Sequence, residues 1–542
     1  MLNKKKYTFW PLITLLASVL FFGLAIRWSH LDQSPPGWDQ GLYLYQATLI
    51  YEQFGNGLSS FLTAVMNVDR GRVPLLLVLV QPAFVLFGPS LDAAVAVVNC
   101  AWFILAWAML GVSREIFGAR YGYKAGFFAF CLFAIYPLTS FLSQNFLVEL
   151  PLVSFVLGAV CSLMKLVRTR QKRWSCVAGL FLCAGVLTKV TFPFIVLLPI
   201  AWTVVCLLRS EGFKRTLLLM LPALVLPLVF AGPYYLHNFR QIAGLSMWLS
   251  SGTLSRVYGF GDALSWETIV GYWKSIFFHP VMLVCAFNVI VAAVLWVRTK
   301  SKTIWSEDFS RAAAVTMALC FPVSFLLASF GEIKDPRYLY PGLLPLFVLS
   351  GAALALNLGR RYINIIASIS ILLALPGWRY VNGLASKEFA GRALDAMGFN
   401  IDTTPGSPPD ERPWSTAELI RAIDGNFEQK DADKQIFVLG GNRYFHLRLL
   451  DFYSVTLGTK LKYNALPYYE KPDMTLSEAL EIIDKAAPNA VIYKTGENWP
   501  LFTTRLDGEI VANLEKNPKY VRRDLGVVQP DGSRFVFFKR ID

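Results

Sequence analysis

Short polar groups interrupt an otherwise apolar chain, and each carries a side chain able to move a proton or hold an anion. The first is Pro35-Pro36-Gly37-Trp38-Asp39, leading into an amphipathic helix expected from about Gln40 to Phe54, whose Tyr43, Tyr45 and Tyr51 suit the membrane interface. A carboxylate at a water boundary can take a proton from a hydroxyl or orient it. Asp39 is equally suited to cap the helix that should begin here, since a cap needs only a short acceptor. Next comes Asp69-Arg70-Gly71-Arg72-Val73-Pro74-Leu75, two cations leading into a Pro-broken segment. The guanidinium fork matches phosphate oxygens, although basic residues at an interface also serve as headgroup anchors. In Gln144-Asn145-Phe146-Leu147-Val148-Glu149, an acid opens an apolar run, where the helix dipole favours negative charge. Leu187-Thr188-Lys189 sets a cation at a tight turn, against the tendency of positive charge to stay inside. Finally, Glu332-Ile333-Lys334-Asp335-Pro336-Arg337-Tyr338 offers Arg337 either as one partner of a self-paired loop or as a further cation at the same rim.

Other chemistries lack support. His30, His237 and His279 are scattered without ligand spacing, so neither a metal site nor a cofactor is indicated. No Ser-His-Asp set and no Gly-rich nucleotide loop is visible. Gly440-Gly441-Asn442 reads as a turn. Cys100, Cys131, Cys161, Cys176, Cys183, Cys206, Cys285 and Cys320 all lie in apolar stretches and read as small core residues rather than a disulfide framework.

The elements that must position these residues are membrane spans. The 542 residues are 55% hydrophobic and 16% charged, too apolar for an ordinary soluble domain. The net charge of +14 falls mainly in short clusters between apolar runs, which argues for membrane orientation and against nucleic acid. Runs of spanning length occur at 8–29, 91–111, 125–143, 150–166, 174–189, 190–208, 216–236, 277–297, 312–331, 339–358 and 362–377, about 11 transmembrane helices in all. Lys4 to Lys6 precede the first run, which reads as a retained signal anchor.

The segment 73–87 decides the orientation. If it does not cross, every dense basic cluster, including Lys165, Arg168, Arg170, Lys172 and Arg173, lies on the cytoplasmic side with the N-terminus. Being Pro-broken, it must then be re-entrant and buried against protein. Asp39, Asp69, Arg70, Arg72, Glu149, Lys189, Glu332 and Arg337 share the opposite, outer face, in loops 30–90, 144–149, 237–276 and 332–338. Residues 1–377 form the membrane domain, and 378–542 a soluble extracytoplasmic α/β domain. In the latter, strands are expected at 435–439 and 490–493, helices at 417–423 and 476–486, a closing hairpin at 520–528 and 534–539, and a linker at 401–413.

The order of motifs resembles the polyprenyl-phosphate-dependent glycosyltransferases of the GT-C superfamily, the group of the protein O-mannosyltransferases and lipid A aminoarabinose transferases. The resemblance covers Asp39 to Pro345. It rests on Asp39 before Tyr43 and Tyr45, Arg72-Val73-Pro74-Leu75, Phe87-Gly88, Phe117-Gly118, Glu149, Leu187-Thr188-Lys189, and Arg337-Tyr338 with Pro341 and Pro345. Departures are Asp39-Gln40 where the family often has Asp-Glu, Arg-Val-Pro-Leu for Lys-Pro-Pro-Leu, and Glu149 for Asp. They mark a divergent bacterial member and remove a carboxylate that could serve as a metal ligand.

The resemblance implies an inverting transfer of a hexosyl or pentosyl group from a polyprenyl-phosphate sugar donor to a lipid, polysaccharide or protein hydroxyl, in cell-envelope biogenesis at the inner membrane. It implies Asp39 as general base or acceptor-orienting carboxylate, Glu149 as its partner near the sugar, and Arg72, Lys189 and Arg337 as donor-phosphate ligands, with Arg70, Tyr43 and Tyr338 accessory. The alternative is a transporter or flippase of a lipid-linked glycan, in which charges would line a midplane pathway and repeats would be expected. Here the charges gather at one face and no repeat is found. A third reading is a scaffold that binds glycan through its tail.

Overall fold

In the computed structural model the described residues are 5–68, 72–251, 265–299, 308–330, 334–357, 372, 375–427, 434–467, 471, 473–498 and 506–541. Asp69, Arg70, Glu332 and the expected span 362–377 lie outside them, 372 and 375–377 excepted.

The other apolar runs all fall on helical segments. Among the described residues, six helices are long and apolar enough to cross a membrane, or seven if the pair Trp266–Phe277 and Pro280–Ile290, bent by 87°, counts as one span. Two of the six are longer than a bilayer needs: 44 residues over Leu91–Ala134 and 39 over Phe192–Phe230, against about 20 for one crossing. Each takes in all or part of two predicted runs, separated by a glycine at positive φ, Gly118 (φ 68°, ψ 176°) or Gly212 (φ 73°, ψ 172°). After Gly118 the chain doubles back. A Cβ on Gly122 would stand 2.4 Å from the Arg114 Cα, and one on Gly126 2.8 Å from the Leu110 Cα. The small residues let the two arms approach at backbone distance.

The short segment after Arg72 is two helices, Leu75–Leu79 and Gln81–Phe87. End to end they reach about 20 Å at 1.5 Å per residue, less than the apolar core of a bilayer. Leu76, Leu77, Val80 and Phe84 are buried against protein, and Gln81 inside the segment donates to the carbonyls of Leu77 (2.6 Å) and Ala47 (3.1 Å).

Two expectations for the outer loops need correction. The helix Trp38–Phe54 is not an interfacial amphipath: Leu42, Tyr43, Leu44, Ala47 and Ile50 are buried, and so are the polar Gln40, Gln46 and Thr48. It is covered on one side by the membrane bundle and on the other by a helix of the tail, Leu447–Thr456. The stretch 237–276 is largely helical where described, as Gly232–Ser251 and Trp266–Phe277.

The tail carries a five-stranded sheet of β1 (Lys434–Leu439), β2 (Leu461–Ala465), β3 (Ala490–Lys494), β4 (Tyr520–Val528) and β5 (Arg534–Arg540). The order is β2-β1-β3-β5-β4, with β1 parallel to β2 and β3, and β5 antiparallel to β3 and β4. Alternate residues of the central strands feed two cores. Ile436, Val438, Ile492 and Phe537 pack on Leu419, Ile420 and Ile423 of helix Thr416–Asp424. Phe437, Leu439, Val491 and Phe538 pack on Ala479, Ile483, Ile510 and Leu514 from helices Leu476–Ala486 and Asp507–Lys516. Every predicted tail element forms. Stretch 401–413 is more than a linker, since Asp410 N donates to Asp32 (2.8 Å) and its carbonyl accepts from Gln33 N (2.7 Å), tying it to the loop after the first helix.

Candidate active site

Asp39 lies in the first turn of Trp38–Phe54, but Gly37 holds the N-cap position and no side chain caps the helix. The carboxylate is directed to two cations instead. Arg337 Nη1 donates to its Oδ2 at 3.1 Å, and Arg72 Nη2 stands 3.6 Å from its Oδ1. Burial works to raise the pKa of Asp39; the charges of Arg337 and then Arg72 outweigh it and hold the group below the usual carboxylate range.

Each arginine is fixed by further contacts. Arg337 follows Asp335, whose carboxylate caps the short helix Pro336–Leu339 by accepting from Arg337 N (2.9 Å) and also receives the guanidinium at 2.6 Å. Arg72 lies 5.2 Å over the Tyr43 ring of the Asp39 helix and donates to the Tyr43 hydroxyl at 3.1 Å. Its carbonyl accepts from Tyr234, and Leu75 N donates to the Leu187 carbonyl at 2.9 Å. That last bond lashes the Arg72 segment to the turn carrying Lys189. Arg72 Nε is buried and has no hydrogen-bond partner among the described residues.

Lys189 pairs with Glu149, Nζ to Oε1 2.8 Å, and lies 4.8 Å over the ring of Tyr338, the neighbour of Arg337. Glu149 is only 4% exposed, and its Oε2 accepts no hydrogen bond among the described residues. The predicted residues Asp39, Arg72, Glu149, Lys189 and Arg337 therefore form one cluster, with Tyr43 and Tyr338 as its aromatic walls. Arg70 is outside the described residues. Two of the cations, Arg337 and Arg72, grip the Asp39 carboxylate directly.

Gln40 explains a departure noted in the sequence. Its amide donates to Asn145 Oδ1 and accepts from Phe146 N at 3.2 Å, joining the Asp39 helix to the segment before Glu149. One side chain must donate and accept at once, which an ionised glutamate could not.

A cleft of about 570 Å³ opens beside Asp39, lined by Trp38, Phe141, Lys334, Arg337, Pro405 and Arg443 among others. Two of these come from the tail, so the tail is part of the site's wall. Sequence reasoning missed Arg443 and the Pro405-Gly406 turn, because nothing local distinguishes them from ordinary surface residues. Among the described residues no group of three His, Cys, Asp or Glu is placed to hold a metal ion. His30, His237 and His279 lie apart, near Asp92, Asn67 and Tyr136 respectively.

No protein-family model and no curated relative matches the sequence. Solved structures do match the fold. ArnT from Cupriavidus metallidurans bound to undecaprenyl phosphate is 16% identical with a TM-score of 0.59, over 98% of both chains. The oligosaccharyltransferase AglB from Archaeoglobus fulgidus, in complex with an inhibitory peptide and a dolichol-phosphate, is 12% identical with a TM-score of 0.53, over 98% of this chain and 74% of its own. The chain shares the fold of these two proteins, a polytopic helical membrane part with a small C-terminal sheet domain.

Proposed function

We propose that this protein transfers a sugar from a polyprenyl-phosphate carrier to an acceptor hydroxyl at the outer face of a bacterial inner membrane, with inversion at the anomeric carbon. In this reading the N-terminus is cytoplasmic and the domain from about 378 is extracytoplasmic. The observation that carries it is Asp39 held between Arg337 and Arg72 at the edge of the cleft, with the Glu149–Lys189 pair behind. The fold of proteins solved with undecaprenyl phosphate and with dolichol-phosphate supports a lipid-phosphate donor.

The chemistry follows from the charges. A sugar polyprenyl phosphate carries one negative charge between sugar and lipid. As it enters, its phosphate oxygens compete with Asp39 for Arg72 and Arg337, and Lys189 adds a third cation. Asp39 loses the charges that suppress its basicity as the donor arrives, and so becomes a better base with donor in place. The acceptor oxygen then attacks the anomeric carbon while its proton passes to Asp39. The bond from that carbon to the phosphate oxygen breaks, and polyprenyl phosphate leaves with the electron pair. The arginines stabilise the charge that grows on the departing phosphate, which is where stabilisation lowers the barrier. Glu149 Oε2 is left to a sugar hydroxyl.

Mass spectrometry of the lipid that copurifies with the protein tests this reading, together with comparison of envelope glycans from cells with and without it. A polyprenyl phosphate on the protein and loss of one sugar from one envelope component are expected. Neither appearing would contradict the proposal.

A further inference from the structure

We infer that His446 of the tail is a positioning residue for Asp39, clamping the turn Pro36–Gly41 so that the carboxylate is presented to the cleft. The inference rests on the role proposed above for Asp39.

His446 is 3% exposed and sits at the start of helix Leu447–Thr456. Its Nδ1 accepts from Leu449 N at 3.3 Å, and its Nε2 is 3.3 Å from the Pro36 carbonyl. A backbone N–H can only donate and a carbonyl can only accept, so the two partners fix the tautomer: Nδ1 is bare and Nε2 carries the proton. One ring thus caps a tail helix with one nitrogen and holds the loop before Asp39 with the other. The ring also packs on Trp38, centroids 5.0 Å apart, immediately before Asp39. On the next turn of that helix, Gly41 leaves just enough room, for a Cβ there would stand 2.7 Å from His446 Cε1.

The contact is reinforced on either side. Arg448 lies 5.8 Å over the Tyr45 ring and pairs with Asp451 at 3.2 Å, while Asp410 holds Asp32 and Gln33 at the start of the same loop. Arg443, three residues before His446, packs on Gly37 and lines the cleft. The outer loop that carries Asp39 is therefore gripped by the tail at both ends. Gln40 and the ion pairs of Asp39 tie it to the membrane part. A side chain that merely capped its own helix would need none of these contacts with Pro36, Trp38 and Gly41.

The variants H446A and H446N, in the purified full-length protein, separate the two duties. Asparagine is a good helix cap, so H446N keeps the Leu447–Thr456 helix, but it is too short to reach Pro36 and has no ring to fill the space at Gly41. Amide hydrogen exchange should quicken over both 38–41 and 447–456 in H446A, and over 38–41 alone in H446N. In H446N, kcat should fall about 10- to 100-fold, the scale of a misplaced catalytic group, while KM for the donor lipid stays at its wild-type value. Wild-type exchange and wild-type kcat in H446N would reduce His446 to a helix cap and overturn the inference. A loss carried by donor KM would also overturn it, by placing His446 in donor binding. Should no donor support transfer by the wild-type protein, the transferase reading fails, and the exchange pattern still decides whether His446 holds the loop.

Discussion

Arg337 reaches across 298 residues of sequence to place its Nη1 3.1 Å from the Oδ2 of Asp39, while its other nitrogens stay on Asp335. The guanidinium fork is needed for this double grip, which a point charge on a flexible stem cannot reproduce. R337K and R337A should therefore both lower kcat/KM for donor by about 10- to 100-fold, the worth of one charge-assisted bond. The acid limb of the kcat/KM profile should also move. Arg337 is the foremost of the charges that hold Asp39 below the usual carboxylate range against burial. Removing it raises the Asp39 pKa, so R337A should lose activity at a higher pH than the wild type as the solution is acidified.

The Glu149–Lys189 pair behaves differently because both groups are largely removed from water. Deleting one partner of a buried pair leaves the other charge uncompensated, at a cost of about 3–5 kcal/mol, whereas replacing both by apolar groups is often neutral. E149L and K189M singly should lower the unfolding temperature in detergent. The double variant E149L/K189M should recover much of that loss while remaining inactive in transfer. Recovery of both stability and transfer would remove the pair from the site.

Burial pushes the His446 imidazole down to about 4, with Asp39 pulling it upward and Arg448 downward. The unfolded chain protonates this histidine near 6.5, so its contribution to stability is intact above that pH and is lost as the pH falls from about 6.5 towards about 4. The slope approaches about 1.4 kcal/mol per pH unit. Asp451 acts in the opposite sense: burial raises it to about 6 despite Arg448, so it favours the folded state as the pH falls. The informative quantity is therefore the difference between wild type and H446N, measured by denaturant unfolding at pH 7 and pH 5. H446N should be less sensitive to acid.

Orientation can be tested at the cleft. With the exposed Cys100 and Cys176 replaced, P405C should react with a membrane-impermeant maleimide added outside intact cells. Labelling only after the cytoplasmic side is opened would invert the arrangement and place the Asp39 cluster on the wrong face.

The residues of the cluster were readable from the sequence as charges set at the ends of apolar runs: a lysine at a tight turn between two spans, an arginine entering a Pro-broken segment, an acid opening a span. Their pairing was not readable. Asp39 and Arg337 are brought together by the folding of the whole bundle, and a capping role for Asp39 was as consistent with the local sequence as the ion pairs that form. In the tail, β1, β3 and the closing hairpin announce themselves by β-branched and aromatic runs and by Pro530-Asp531-Gly532. Strand Leu461–Ala465 and helix Leu447–Thr456 do not, the one being short and half polar, the other being buried by its contact with a distant helix. His446 carried no local signal at all. A lone histidine becomes informative only when Pro36, Trp38 and Gly41 are seen around it.

Turnover by D39N is the most direct measurement of the central claim. The donor is a sugar polyprenyl phosphate, radiolabelled in its sugar and chosen by the mass spectrometry and glycan comparison proposed above, and the readouts are transfer to acceptor and binding of donor by the same preparation. Replacing the carboxylate by an amide of the same shape removes the base and leaves Arg72, Lys189 and Arg337 to hold phosphate. The account predicts that D39N binds donor at least as tightly as wild type and transfers it about 100- to 10,000-fold more slowly, the range for loss of a general base. Wild-type transfer by D39N would contradict it.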